Sequence, residues 1–294
     1  MCSAKGHFLF FLIVILLNGC AAEKVVQPPI QARPAKIAIV LGAGAAKGFA
    51  HIGVLKVLEA NKIPLHMVVG TSAGSFVGSL YAYGFSAYQL QKISFEIQQG
   101  DLADFAFPDN GFIKGEKLEA YINRMLRNTP MEKLRIPFYA VSTDIQNGRE
   151  MDFGSGNTGR AVRASCSIPG VFTPVIIGGR MYVDGGVVSP VAVDTARKHG
   201  ADVVIAVDIT AGGESPRPQG TMETIMQSIS VMYERITVQQ LPRADVIIRP
   251  KVGYIGAADF SKRHEAVLEG EKAATEALPI IKSLLARLKS EGRL

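Results

Sequence analysis

The sequence predicts an α/β fold, a three-layer sandwich whose largely parallel central sheet carries helices on both faces. Three observations predict it. Short apolar, β-branched runs alternate along the chain with segments whose apolar residues recur at helical spacing. Glycine-rich turns, Gly42–Gly48 and Gly70–Gly74, each fall between a strand-like run and a helix-like one. The chain that follows an N-terminal leader is long enough to bury a sheet in one large domain, residues 36–294.

The elements follow in order. Residues 36–41 read as a buried strand, 50–61 as a helix, 67–70 as a second strand and 73–83 as a second helix. A polar helix over 86–99 and a helix over 116–127 precede strands at 138–143 and 150–153. A short helix at 160–166 closes at Pro169-Gly170, and a strand at 180–183 leads into Asp184-Gly185-Gly186. A helix at 191–199, a strand at 203–208, a loop at 211–220, a long helix at 222–239, a strand at 246–249 and one or two terminal helices complete the chain. In such sheets ligands bind beyond the carboxyl ends of the strands.

The first residues read as an address. Lys5 and His7 precede an unbroken apolar run, Phe8 to Leu17, which is too short to span a bilayer. Leu17-Asn18-Gly19-Cys20 resembles the bacterial lipobox, in which the cysteine is lipidated and becomes the new N-terminus. The resemblance implies a signal peptide over 1–19, a lipidated Cys20 and a proline-bearing tether over 20–35. No Asp follows Cys20 where inner-membrane retention signals carry one, so the expected location is the cell envelope, on the outer membrane facing the periplasm. With Cys2 in the leader and Cys20 lipidated, Cys166 is the remaining cysteine and reads as small buried filler. The formal charge of +6 is scattered rather than clustered and implies mild attraction to anionic head groups, not nucleic-acid binding. Neither a calcium loop nor a His/Cys cluster is present, so no metal and no cofactor are expected; oligomeric state is left open.

Three motifs carry chemistry. Gly70-Thr71-Ser72-Ala73-Gly74 is a G-x-S-x-G turn between strand and helix, where the glycines let the chain turn sharply enough to lift Ser72 Oγ clear. The alternative is a tight helix-opening turn. A serine needs a base, yet His51 sits within a helix, His199 near a helix end, and neither His66 nor His264 lies where a triad histidine would. Asp184 ends a strand and is followed by Gly185 and Gly186, although an Asp-Gly pair alone reads more simply as a turn. The third motif, Gly42-Ala43-Gly44-Ala45-Ala46-Lys47-Gly48, leaves bare backbone N–H groups suited to an oxyanion or to a phosphate. A dinucleotide site would want an acidic residue ending the second strand, and that strand ends in Val69-Gly70-Thr71-Ser72.

Taken in order, with Ala164-Ser165, Pro169, Phe172 and Pro174 between serine and aspartate, these elements resemble the patatin-like phospholipase family over about residues 36–210. The resemblance implies a patatin-like fold and a serine acyl hydrolase that cleaves fatty acyl esters of lipids. In it Ser72 is the nucleophile, Asp184 its base, and the oxyanion hole lies among Gly42, Ala43, Gly44 and Ala45, best placed at Gly44 and Ala45. Lys47, Gly48, Gly70, Gly74, Gly185 and Gly186 support the motifs, and Lys47 either meets an anionic head group or is a solvated side chain at a helix start. Two other classes stand beside this one: a non-catalytic outer-membrane lipoprotein of the same fold that binds lipid or a partner, and a nucleotide-binding protein. The amphipathic C-terminal segment around Leu278–Leu288 is expected to pack on the domain. Tyr81, Tyr83, Phe105 and Phe107 are read as lid or core.

Overall fold

In a computed structural model of the chain, the described residues are 33–105, 111–210 and 217–294. The leader, Cys20, most of the tether and Phe107 lie outside them. The chain runs β1 (Ile37–Leu41), α1 (Phe49–Ala60), β2 (Met67–Thr71), α2 (Ala73–Tyr83), α3 (Ala87–Glu96), α4 (Gln99–Leu102) and α5 (Glu116–Met125). It continues through β3 (Phe138–Asp144), β4 (Arg149–Phe153), α6 (Thr158–Ser165), β5 (Val175–Ile177), β6 (Arg180–Asp184) and α7 (Val193–Lys198). It closes with β7 (Val203–Val207), α8 (Thr221–Gln240), β8 (Val246–Ile248) and α9 (Arg263–Ser290).

The layers follow from strand periodicity. Every residue of β1, β2 and β7 is buried, as expected of strands covered on both faces. Ile37, Ile39 and Leu41 of β1 join the core beneath α1, α2 and α9, whereas Ala38 and Val40 between them join a second core with Val193 and Ala196 of α7. β1 lies between β2 and β7 in parallel, with β3 outside β2 and β8 outside β7, also parallel. Beyond that block β4, β5 and β6 pair antiparallel, so the eight-stranded sheet is parallel at its centre and mixed at one end.

The main differences from the expected elements lie at that mixed end and at the C-terminus. β5 was not expected, because three residues are too few to display an alternation; it forms a hairpin with β6 through Gly178 and Gly179, both at positive φ. The polar helix ends early, at Glu96, and α4 begins separately at Gln99. The terminal segment is one helix that continues through Pro279. It packs on the domain, with Ile281 and Leu288 buried. At its crossing with α1 the two backbones touch: a Cβ at Gly53 would lie 1.9 Å from the Val267 carbonyl, and one at Gly270 would lie 2.0 Å from that of Ala50.

Candidate active site

The sheet brings Ser72 and Asp184 together through one strand. On β3, Val141 is the partner of Thr71, the last residue of β2, and the next residue, Ser142, is the partner of Asp184, the last residue of β6. β4 covers the other edge of β3 along Ala140–Asp144. β2 and β6 therefore share one edge of β3 and abut end to end, running toward each other, so that Ser72 and Asp184 meet at the junction.

Ser72 sits at φ 54° and ψ −123° between β2 and α2, a backbone state that costs a non-glycine residue about 1–3 kcal/mol. Its surroundings fix that state. The Ser72 N–H donates to Ser165 Oγ at 2.9 Å, and Ser165 Oγ donates in turn to the Val141 carbonyl at 2.6 Å. Ser75 Oγ donates to the Ser72 carbonyl at 2.7 Å, and Thr71 Oγ1 to the Ser189 carbonyl at 3.0 Å. Glycine at 70 and 74 is a matter of space, since a Cβ at Gly70 would lie 2.5 Å from the Gly74 carbonyl and one at Gly74 would lie 1.9 Å from that of Leu41. The N-terminus of α2, with its partial positive charge, faces the same space.

Asp184 is fully buried. Its N–H donates to the Ser167 carbonyl at 2.8 Å, its carbonyl accepts from Thr143 Oγ1 at 2.9 Å, and its Oδ1 accepts from the Gly186 N–H at 2.7 Å. Burial pushes its carboxyl up to about 6, against the opposing pull of the Ser72 hydroxyl, the Gly186 N–H and the Tyr233 hydroxyl. Oδ2 has no hydrogen-bond partner of good geometry among the described residues; Ser72 and Tyr233 act on the carboxyl without a well-aligned bond. Gly185 lies against β3, where a Cβ would stand 2.2 Å from the Val141 carbonyl.

The glycine-rich loop corrects part of the expected oxyanion hole. The Gly42 N–H donates to the Val207 carbonyl at 3.1 Å and that of Ala43 to the Pro190 carbonyl at 2.9 Å, so both amides are occupied in holding the loop to the sheet. The N–H groups of Ala46 and Lys47 are likewise spent on the Ala257 and Gly44 carbonyls. Those of Gly44 and Ala45 have no partner among the described residues, and Ala45 takes φ 49°. The loop rests on the serine turn: a Cβ at Gly48 would lie 2.6 Å from that of Ala73.

Two side chains beside the loop do more than their sequence context conveyed. His51 is buried and its Nε2 lies 2.8 Å from the Gly42 carbonyl. Burial lowers its pKa to about 4, so the ring is neutral, and a carbonyl partner requires the Nε2–H tautomer. His51 thus tethers the loop. Lys47 is 7% exposed, which removes the solvated reading; burial lowers its pKa while Glu234 and Asp208 oppose the shift. Of the other histidines, His199 pairs with Asp152 and stacks on Tyr139, His66 accepts from the Ile37 N–H, and His264 stacks on Phe95. Cys166 is buried 3.7 Å from Ser75 Oγ, and its thiol is pushed far up by burial.

Ser72 opens onto an apolar cavity of about 550 Å³. Ala45 and Phe49 from the loop and α1, Phe76, Val77 and Leu80 from α2, and Leu90 and Ile93 from α3 line it. Met222 and Met226 of α8 and the exposed Phe105 also border it, while Tyr81 and Tyr83 pack against the core.

The sequence profile of the patatin-like phospholipases matches residues 39–197, from β1 past the Asp184 turn. The chain belongs to the patatin-like phospholipase family. Within this family of lipid-ester hydrolases, it is 31% identical to the lysophospholipase NTE1 of Coccidioides immitis over 88% of its own length and 18% of that protein's. It is 35% identical to the human patatin-like phospholipase domain-containing protein 6 over 61% of its length and 14% of that protein's. The chain thus spans less than a fifth of these relatives. Among solved structures, the type III effector protein ExoU matches at a TM-score of 0.50 and 12% identity, over 85% of this chain and 54% of that one, a likeness of fold. The patatin-like match ends before α8 and α9, so Tyr233 and the helix that covers α1 come from outside it.

Proposed function

We propose that the chain is a serine acyl hydrolase of phospholipase A or lysophospholipase type, cleaving fatty acyl esters of lipids through a Ser72–Asp184 dyad and an acyl-enzyme. The observation that carries this is the end-to-end abutment of β2 and β6 on β3, which sets a strained serine against a buried carboxylate at the wall of an apolar cavity. Ser72 Oγ attacks the ester carbonyl as its proton passes to Asp184. The oxyanion is received by the Gly44 and Ala45 amides, aided by the N-terminus of α2; one such donor is worth about 2.7–4 kcal/mol. Collapse breaks the ester C–O bond, and the leaving alcohol takes the proton from Asp184. Water then gives a proton to the same carboxylate and attacks the acyl group; the acyl–Oγ bond breaks, Ser72 Oγ takes that proton back from Asp184, and the fatty acid is released.

A carboxylate near 6 is a weak base for an alcohol, but a better one than an ordinary aspartate. Because the ionised form is the active one, kcat/KM should rise with pH to a plateau along a limb near pH 6. S72A and D184N should each lose ester turnover by at least a thousandfold, and a fluorophosphonate should label the wild type at Ser72 and leave S72A unlabelled. An unlabelled wild-type serine would instead favour a lipid-binding protein of the same fold. The lipobox-like Leu17–Cys20 supports anchorage to the outer membrane, and loss of palmitate incorporation in C20A is the expected result.

A further inference from the structure

α8 is held to the aspartate turn at two points. At its C-terminal end, Gln240 Oε1 accepts from the Val191 N–H at 3.2 Å, and Nε2 donates to the Val188 carbonyl at 3.3 Å and to Ser189 Oγ at 3.1 Å. Ser189 is the residue whose carbonyl accepts from Thr71, next to the nucleophile. Two turns earlier the ring of Tyr233 lies on Gly186. A Cβ at Gly186 would stand 2.3 Å from the ring carbon Cζ and 2.7 Å from the hydroxyl oxygen, so glycine is required there by the tyrosine. Gly186 is the residue whose N–H binds Asp184 Oδ1.

Besides Ser142 Oγ and Thr237 Oγ1, two buried polar atoms close to the aspartate turn, Tyr233 Oη and Asp184 Oδ2, have no hydrogen-bond partner of good geometry among the described residues. One is a donor and the other an acceptor, and an unpaired buried group of either kind is costly. We propose that Tyr233 is a positioning residue for the base: its phenol donates to Asp184 Oδ2 while Gly186 holds Oδ1, fixing the carboxylate's orientation toward Ser72 and favouring its ionised form. The inference rests on the Ser72–Asp184 reading of the site. A carboxylate oxygen has lone pairs for both neighbours, so the phenol does not displace the serine.

The groups facing Asp184 are few. Tyr233 comes from α8, the Cys166 thiol from the residue after α6, and the Ser72 hydroxyl from the turn between β2 and α2. Burial and the Asp184 charge push the phenol and the thiol upward, so both stay protonated and Asp184 alone titrates between pH 4 and 8. The phenol's contribution to Asp184 is a lowering that partly offsets burial.

Tyr233→Phe keeps the ring on Gly186 and removes only the hydroxyl. The acidic limb of kcat/KM on a soluble short-chain ester should move up by about one pH unit, the size expected for loss of a hydrogen bond to a charged group. Turnover at pH 5.5 should fall about tenfold while the plateau above pH 8 falls less than threefold. A second measurement does not use activity: the drop in melting temperature between pH 4 and 8 should be larger in Y233F than in wild type, and the Y233F effect on that drop should vanish in a D184N background. Coincident limbs and coincident melting profiles for wild type and Y233F would overturn the proposal even if S72A and D184N are inactive. Retained turnover in D184N would instead sink the dyad, leaving the melting comparison to judge the Tyr233–Asp184 contact.

Discussion

At Asp184 the proposed role as base and the stability of the fold pull in opposite directions. Its folded pKa, about 6, lies above the usual carboxylate value, so the folded protein holds this proton more tightly than the unfolded chain does. The contribution to stability is full below about pH 4, declines as pH rises toward 6, and is lost above it. Two pKa units correspond to about 3 kcal/mol. D184N should therefore melt above wild type at pH 8 and with it at pH 4, the gap opening between those values, even as it loses the turnover expected of the proposed dyad. Equal melting temperatures at pH 8 would show that the buried carboxylate is not strained. At this scale the sequence was informative where the context was local. Ser72 directly follows a strand and Asp184 ends one, and glycines stand within two residues of each, which marks them without any long-range information. Tyr233 carries no such mark, because an inward-facing tyrosine in a helix looks the same whether it meets a leucine or a carboxylate. Lys47 and His51 were ambiguous for the same reason: their roles depend on Glu234, Asp208 and the Gly42 carbonyl, brought to them by folding.

At the scale of the element, α2 both follows the proposed nucleophile, Ser72, and walls the cavity. Ala73, Phe76, Val77 and Leu80 all border it, and at 1.5 Å per residue the helix carries that wall about 12 Å beyond Ser72. An extended hydrocarbon advances about 1.25 Å per carbon, from bonds of about 1.5 Å at tetrahedral angles, so the wall matches an acyl chain of about ten carbons. Val77→Phe should move the best substrate among p-nitrophenyl esters to a shorter chain, and Leu80→Ala to a longer one. Leu80→Ala costs stability as well, about 2–5 kcal/mol for a buried leucine, whereas the ring at position 77 enters space that already exists. Chain-length profiles identical to wild type in both variants would mean that the acyl group binds elsewhere. The helices were readable because each repeats its pattern over several turns; α2 begins and ends at the expected residues. β5 was not, yet the Gly178-Gly179 pair between two β-branched or extended runs is a hairpin signal that its length obscured.

The whole molecule depends on residues beyond the patatin-like match. α9 covers α1, whose first turn follows the glycine-rich loop and holds His51, and just beyond α9 the Arg293 carbonyl accepts from the Ala35 N–H, two residues before β1, at 2.7 Å. A chain stopped after Lys262 should lose near-ultraviolet circular dichroism and bind a hydrophobic dye while keeping much of its far-ultraviolet signal. Gly270→Ala, a milder version of the same insult, should cost about 1–3 kcal/mol by forcing two backbones apart, measured as a lower urea midpoint. The parallel heart of the sheet was legible in the alternation of strands and helices. Its antiparallel end was not, because the sequence does not say that β6 returns to the same edge of β3 that β2 has just left.

That shared edge has a mechanical consequence. The alcohol and the carboxylate are spaced by two neighbouring rungs of a single ladder, a ruler graduated in peptide units and not in loop length. Sliding β6 by one rung would turn Asp184 to the opposite face, and sliding it by two would carry the carboxylate about 7 Å away. If the proposed dyad carries turnover, turnover becomes a gauge of sheet alignment, and a preparation that is folded yet inert should be searched first for a slipped hairpin.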